Sequence, residues 1–206
     1  MVFYFTLTSD PNVMCYMGRD KYENEELIRW GWPEDIWFHV DSHSSAHVYI
    51  RMPNGLGMDD LSEEMIEECC QLTKQNSIEG CKLNNVKIVF TPWSNLKKTN
   101  GMEVGQIGFH SDKLRRYHTI FKKDNMCINR LEKTRDEKND VDFRALREKR
   151  DSTMAKEDRR KKKELEDAKA KELAEAKAAD DLLHYASLHN ENNMNVGGCP
   201  DEEDFM

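Results

Sequence analysis

Three of the chain's seven histidines, His39, His43 and His47, fall at intervals of four within "PEDIWFHVDSHSSAHVYIR". On a helix that spacing would bring the imidazoles onto one face, where they could ligate a metal or move protons. The flanking runs "DIWFHV" and "AHVYIR" are rich in aromatic and β-branched residues and read as strands, whose faces alternate by two. His39 and His47 then belong to different strands with His43 in the turn between them, and no Cys-x-x-Cys pair completes a zinc set. No metal or other cofactor is expected. His39 is expected to be a core imidazole bonded to backbone or to a carboxylate such as Asp35 or Asp41.

Covalent and acid–base catalysis are not expected either. The chain contains no G-x-S-x-G, no Gly-rich phosphate loop and no H-E-x-x-H. The carboxylates at 59, 60, 63, 64, 67 and 68 sit where the start and solvent face of a helix favour acid. Cys69 and Cys70 fit the buried stripe of the same helix.

A different chemistry is written into "VKIVFTPWSNLKKTNGMEVGQIGFH", residues 86–110. A strand leads into Trp93, then a loop carrying Ser94, Asn95, Lys97, Lys98 and Thr99, then Gly101 and Gly105 before the next strand. Lysines, hydroxyls and free backbone N–H groups suit phosphate oxygens, and an exposed indole would stack on a base. The equal alternative is a polar hairpin loop over a buried Trp93.

The elements that must position these residues follow from the pattern of the whole chain. Residues 1–120 carry 12 basic against 17 acidic side chains, residues 121–180 carry 19 against 16, and residues 181–206 carry none against 6. In the first part the runs "VFYFTLT", "DIWFHV", "AHVYIR", "VKIVFT", "GQIGFH" and "RYHTIF" alternate with turn signals and read as strands. Two helices interrupt them: "KYENEELIRWG", closed by Gly31 and Pro33, and one opening at "DLSE" with Asp60 as cap. The expected class is α+β, a small mixed sheet with flanking helices over residues 1–121. Residues 122–184 are Lys, Glu, Ala and Arg rich and predict a long charged helix, whose sparse apolar positions favour a solvated single helix over a coiled coil. A disordered acidic tail is expected over 185–206. No uncharged apolar run approaches the ~18 residues that span a bilayer. Six scattered cysteines fit reduced thiols in the cytoplasm or nucleus.

The blocks "KYENEELIRWGWPEDIWFHVDSHSSAHVYIRMP", "GCKLNNVKIVFTPWSNLKK" and "VGQIGFH", followed by "NRLEKT", resemble the NFACT-R (DUF814) RNA-binding domain family. Its D-x-W-F-H strand falls on Asp35, Trp37, Phe38 and His39, its small-residue turn on Ser44 and Ser45, and its basic loop before a glycine on Lys97, Lys98 and Gly105. The resemblance implies a non-enzymatic nucleic-acid-binding module. RNA is the implied partner, tRNA or the large ribosomal subunit included, since larger relatives are ribosome-quality-control factors. His47 and Arg51 would then be polar contacts beside Trp37 and His39, with the long helix as a spacer or a second basic contact through Arg159, Arg160 and Lys161 to Lys163. Two alternatives stand beside it. One is a DNA-binding sensor at the cell membrane, with Lys21 and Tyr22 of "KYENE" as its contacts. The other is a protein-interaction adaptor that docks its partner on the 122–184 helix.

Overall fold

The computed structural model describes the backbone of residues 1–194 and the side chains of residues 1–183. The chain divides into two compact units, Met1–Lys149 and a second beginning at Arg150. The first unit is built on a seven-stranded sheet of β1 (Val2–Thr6), β2 (Met14–Gly18), β3 (Asp35–Val40), β4 (Val48–Arg51), β5 (Val86–Pro92), β8 (Arg116–Ile120) and β9 (Asp136–Lys138). Their order is β8-β5-β3-β4-β2-β1-β9, and every pairing is antiparallel. A separate small hairpin joins β6 (Leu96–Lys97) to β7 (Gly108–Phe109).

Alternation along the strands sends apolar side chains to both faces, so both must be covered. On one face Phe5, Ile36, Phe38, Ile50, Ile88 and Phe90 pack beneath α2 (Glu63–Gln75) and α3 (Asn125–Lys133), which contribute Cys69, Cys70, Leu72, Cys127 and Leu131. On the other, Tyr16, Trp37, Tyr49 and Val89 pack beneath Leu27 of α1 (Lys21–Trp30) and Leu96 of the small hairpin. Each of these large side chains contributes about 1.5–3 kcal/mol through burial.

Five expectations need correction. The globular unit does not stop at 121: α3 supplies Cys127, Ile128 and Leu131 to the core, and β9 pairs with β1, so the unit runs on to Lys149. The residues after 121 are not one helix, because the long helix α4 (Phe143–Met194) starts only after β9 and a turn in which Asp140 takes a φ of 52°. It also continues past residue 184, and the rest of the expected tail, 195–206, lies outside the described residues. Ser62 rather than Asp60 caps α2, its hydroxyl accepting from the Met65 N–H, while Asp60 accepts from the Gly57 N–H in the preceding turn. Glu68 is not on a solvent face: it is buried and accepts the N–H groups of Thr8 and Ser9 at 3.1 and 3.3 Å.

Candidate nucleic-acid interface

β3 and β4 bring the sequence candidates of the first motif onto one face. Trp37 is buried, with His39 stacked on it at 5.3 Å between centroids and His47 edge-on at the same distance. His39 bonds through Nδ1 to the Val40 carbonyl at 2.6 Å. His47 is not the surface contact expected of it. It is 4% exposed, its Nδ1 has no hydrogen-bond partner among the described residues, and burial, with the nearby His39 and Lys98 charges, holds its pKa down to about 3. It is therefore neutral at physiological pH.

Arg51 is also committed internally. Its Nε and Nη2 donate to the two oxygens of Asp35 at 2.7 and 2.9 Å, and its guanidinium lies 3.8 Å from the Trp32 ring centroid. Asp35, with no exposed surface, also accepts from Tyr16 Oη and from the Trp32 N–H, both at 2.6 Å. This fork locks the start of β3 to β4 and β2.

The 93–105 loop proves to be a braced structure. Trp93 is half-buried against the α1-side core, and its Nε1 donates to the Ile28 carbonyl at 2.9 Å. Gly31 is obligatory there, since a Cβ would stand 2.2 Å from Trp93 Nε1. The indole is thus docked on the end of α1, which fits the hairpin over a buried Trp93 and not the alternative of a free stacking ring. Asn95 is buried, donating to Thr91 Oγ1 and the Ser111 carbonyl and accepting from the Ser111 N–H.

The two lysines have separate fates. All three protons of the Lys98 ammonium are spent inside the protein, on Glu25 Oε2 at 2.9 Å and on the carbonyls of Glu103 and Gln106 at 2.7 and 3.0 Å. The same Glu25 oxygen accepts from the N–H of Gly105, whose φ of +81° and approach to Lys21 exclude a side chain. Burial pushes the Glu25 carboxyl up, but the bonds from Lys98 and Gly105 outweigh it and hold the group below its ordinary value. Lys97, by contrast, is exposed, as are Ser94, Lys21 and Tyr22. Lys98→Ala should cost about 1.5–3 kcal/mol in urea unfolding, the scale of a hydrogen bond to a charged group, while Lys97→Ala should stay within about 0.5 kcal/mol.

Beside the hairpin, at the β5–β8 end of the same face, lies a set of rings and cations. Lys87 Nζ stands 3.9 Å from the centroid of the exposed Tyr117, and the Arg115 guanidinium stands 5.0 Å from the half-buried Phe109. Phe109 in turn meets Trp37 edge-on at 5.8 Å. His39, Val89 and Tyr117 form one cross-strand row, and Lys97 faces Gly108 one pair along from Phe109. Sequence reasoning passed over Lys87, Tyr117, Arg115 and Phe109. Alternation in "VKIVFT" and "RYHTIF" puts Lys87 and Tyr117 on outward positions, but only the strand register brings them together.

Residues 1–111 match the family described as NFACT protein RNA binding domain. The chain belongs to the NFACT-R family. Among NFACT-R relatives, coiled-coil domain-containing protein 25 of Danio rerio is 52% identical and its homolog in Dictyostelium discoideum 49% identical, each over the whole of both chains. Protein JLP2 of Saccharomyces cerevisiae is 43% identical over 58% of this chain and 59% of its own. The NFACT-R fold recurs in the C-terminal part of the fibronectin/fibrinogen-binding protein of Streptococcus suis, with a TM-score of 0.52 at 17% identity, covering 65% of this chain and 48% of that one. Among the described residues no group of three or more His, Cys, Asp or Glu side chains could hold a metal ion. No described helix is long and apolar enough to cross a membrane.

Proposed function

We propose that this chain is a non-catalytic RNA-binding protein whose first unit contacts RNA through Lys87, Tyr117, Arg115, Phe109 and Lys97. The observation that supports this reading is the pairing of accessible rings with cations at one end of a sheet face. Rings accept stacked bases, and the cations beside them meet phosphates. Lys98, Asn95 and Arg51 serve this surface by holding the hairpin and strands that carry it. Structured RNA, tRNA or large-subunit ribosomal RNA, is the finer assignment we propose, and the cytoplasm or nucleus is the compartment where such RNA and reduced thiols coexist.

The test is anisotropy titration of labelled tRNA, with DNA and an unstructured RNA of equal length for comparison, using the full chain across a salt series. Lys87→Glu with Lys97→Glu should flatten the plot of log K against log salt by roughly 0.7–0.9 for each phosphate that is no longer neutralised. Tyr117→Ala should weaken binding by about 1–3 kcal/mol with the slope unchanged. Folded variants with unaltered affinity and slope would overturn the assignment of this surface, and tighter binding of the DNA would redirect it to Lys21 and Tyr22.

A further inference from the structure

Within α4 of the second unit the charges are sorted by direction. At about 100° per residue, Ser152, Thr153, Lys156, Arg159, Arg160 and Lys163 all lie within about 60° of one line along the helix. Between Asp151 and Glu164 the acids Asp151, Glu157, Asp158 and Glu164 all fall outside that stripe, which Asp167 closes one turn beyond Lys163, and the apolar Met154 and Leu165 lie on the opposite side. All six stripe residues are exposed. Arg160 reaches Glu164 at 3.5 Å, but Lys156, Arg159 and Lys163 make no ion pair among the described residues. Off the stripe, Lys162 reaches Glu166 at 3.9 Å and, further along, Lys171 reaches Glu175 at 3.8 Å.

This sorting goes beyond what an ordinary solvated helix needs. A helix that merely stays in water alternates charge to gain i,i+4 pairs, as α4 does elsewhere. Here acid is missing from one face for about 17 Å, the rise from Ser152 to Lys163. With no apolar side chain on it, the stripe offers nothing to a coiled-coil partner or to lipid tails. What it offers is a row of long cations with hydroxyls at one end, the groups that track a polyanion backbone.

We propose that this stripe is a second RNA-binding site, taking the sugar-phosphate backbone. It rests on the RNA reading only for the identity of the polyanion. Contact here is with phosphates alone, so it adds affinity and salt dependence without adding sequence preference.

The experiment compares two triple variants of the full chain that change net charge equally. The on-stripe variant is Lys156→Glu, Arg159→Glu, Lys163→Glu; the off-stripe variant is Lys161→Glu, Lys162→Glu, Lys169→Glu, whose positions point elsewhere on the helix. Circular dichroism checks that both remain helical. In the tRNA titration the on-stripe variant should bind roughly tenfold or more weakly near 0.1 M salt, with the slope flattened by about 2, and the off-stripe variant should stay within about threefold of the parent. Equal losses in both would overturn the stripe in favour of diffuse charge. An unchanged on-stripe variant would overturn it while leaving the first-unit surface standing, provided Lys87→Glu with Lys97→Glu still weakens binding. An on-stripe loss with a silent Lys87/Lys97 pair would support the stripe and reject the first-unit surface. Absence of any RNA binding by the parent chain would overturn both.

Discussion

Asp35→Asn is expected to destabilise the first unit by about 3–5 kcal/mol, the cost of removing one partner of a buried ion pair. Four donors converge on this carboxylate: Arg51 Nε, Arg51 Nη2, Tyr16 Oη and the Trp32 N–H. An amide offers one oxygen and turns an NH2 group toward the remaining donors, so asparagine replaces attraction by collision of like dipoles while leaving the guanidinium without its counter-charge. The pairing is mutual: burial pulls the Arg51 pKa down, but Tyr16 and then the hydrogen bond and charge of Asp35 outweigh it and hold the guanidinium above its ordinary value. Urea unfolding at pH 7 followed by tryptophan fluorescence measures the effect, and a loss below about 1 kcal/mol would mean that the fork does not hold this corner of the sheet. Adding Arg51→Met to Asp35→Asn should recover part of the loss, because the double variant no longer holds an unpaired buried charge.

The second large effect is a dependence on pH. Burial holds His47 at a pKa of about 3 in the folded chain, against an ordinary value of 6.5. As pH falls below about 6.5 the unfolded chain takes up the proton first, so the folded state loses stability from there down to about pH 3, and the stabilisation is fully present only above pH 6.5. Between pH 7 and pH 5 the loss through this one side chain comes to about 2 kcal/mol, at 1.36 kcal/mol per pH unit. His39, lowered by burial in part against its bond to the Val40 carbonyl, acts in the same direction. His47→Phe keeps a ring against Trp37 and removes the titration. Its stability should therefore fall by about 2 kcal/mol less than that of the parent over the same interval, in parallel urea series at the two pH values. An identical fall in both proteins would mean that His47 already carries its proton when folded.

These two effects mark the boundary of what local sequence conveys. The strands around Trp37, Tyr49 and Val89 were legible because β-branched and aromatic residues alternate there, and α1 because Gly31 and Pro33 close it. β2, "MCYMG", was not legible, since Met, Cys and Gly lack a strand's usual signature and four of its five residues are buried. The basic 97–98 pair drew notice as a site, but what separates Lys98 from Lys97 is a carboxylate 73 residues earlier in the chain. Asp35 and Arg51 were noticed singly, as a motif residue and a polar contact. Only antiparallel register makes them partners. α3 and β9 were hidden because residues 122–140 share the charged composition of the helix that follows. Nothing local in Cys127, Ile128 and Leu131 says that a sheet is waiting for them.

The pairing of β1 with β9 also sets an order of events during synthesis. β1 and β2 can form their hairpin as soon as both have been made, but the outer edge of "VFYFT" stays open until residues 136–138 arrive to cover it. Throughout that interval the nascent chain presents unpaired backbone groups flanked by aromatic side chains, which is the kind of edge that recruits a second chain. A product that stops just before Asp136 would keep α1, α2, α3 and most of its sheet, yet it would leave the ribosome with that edge unguarded and would depend on chaperones to remain dispersed.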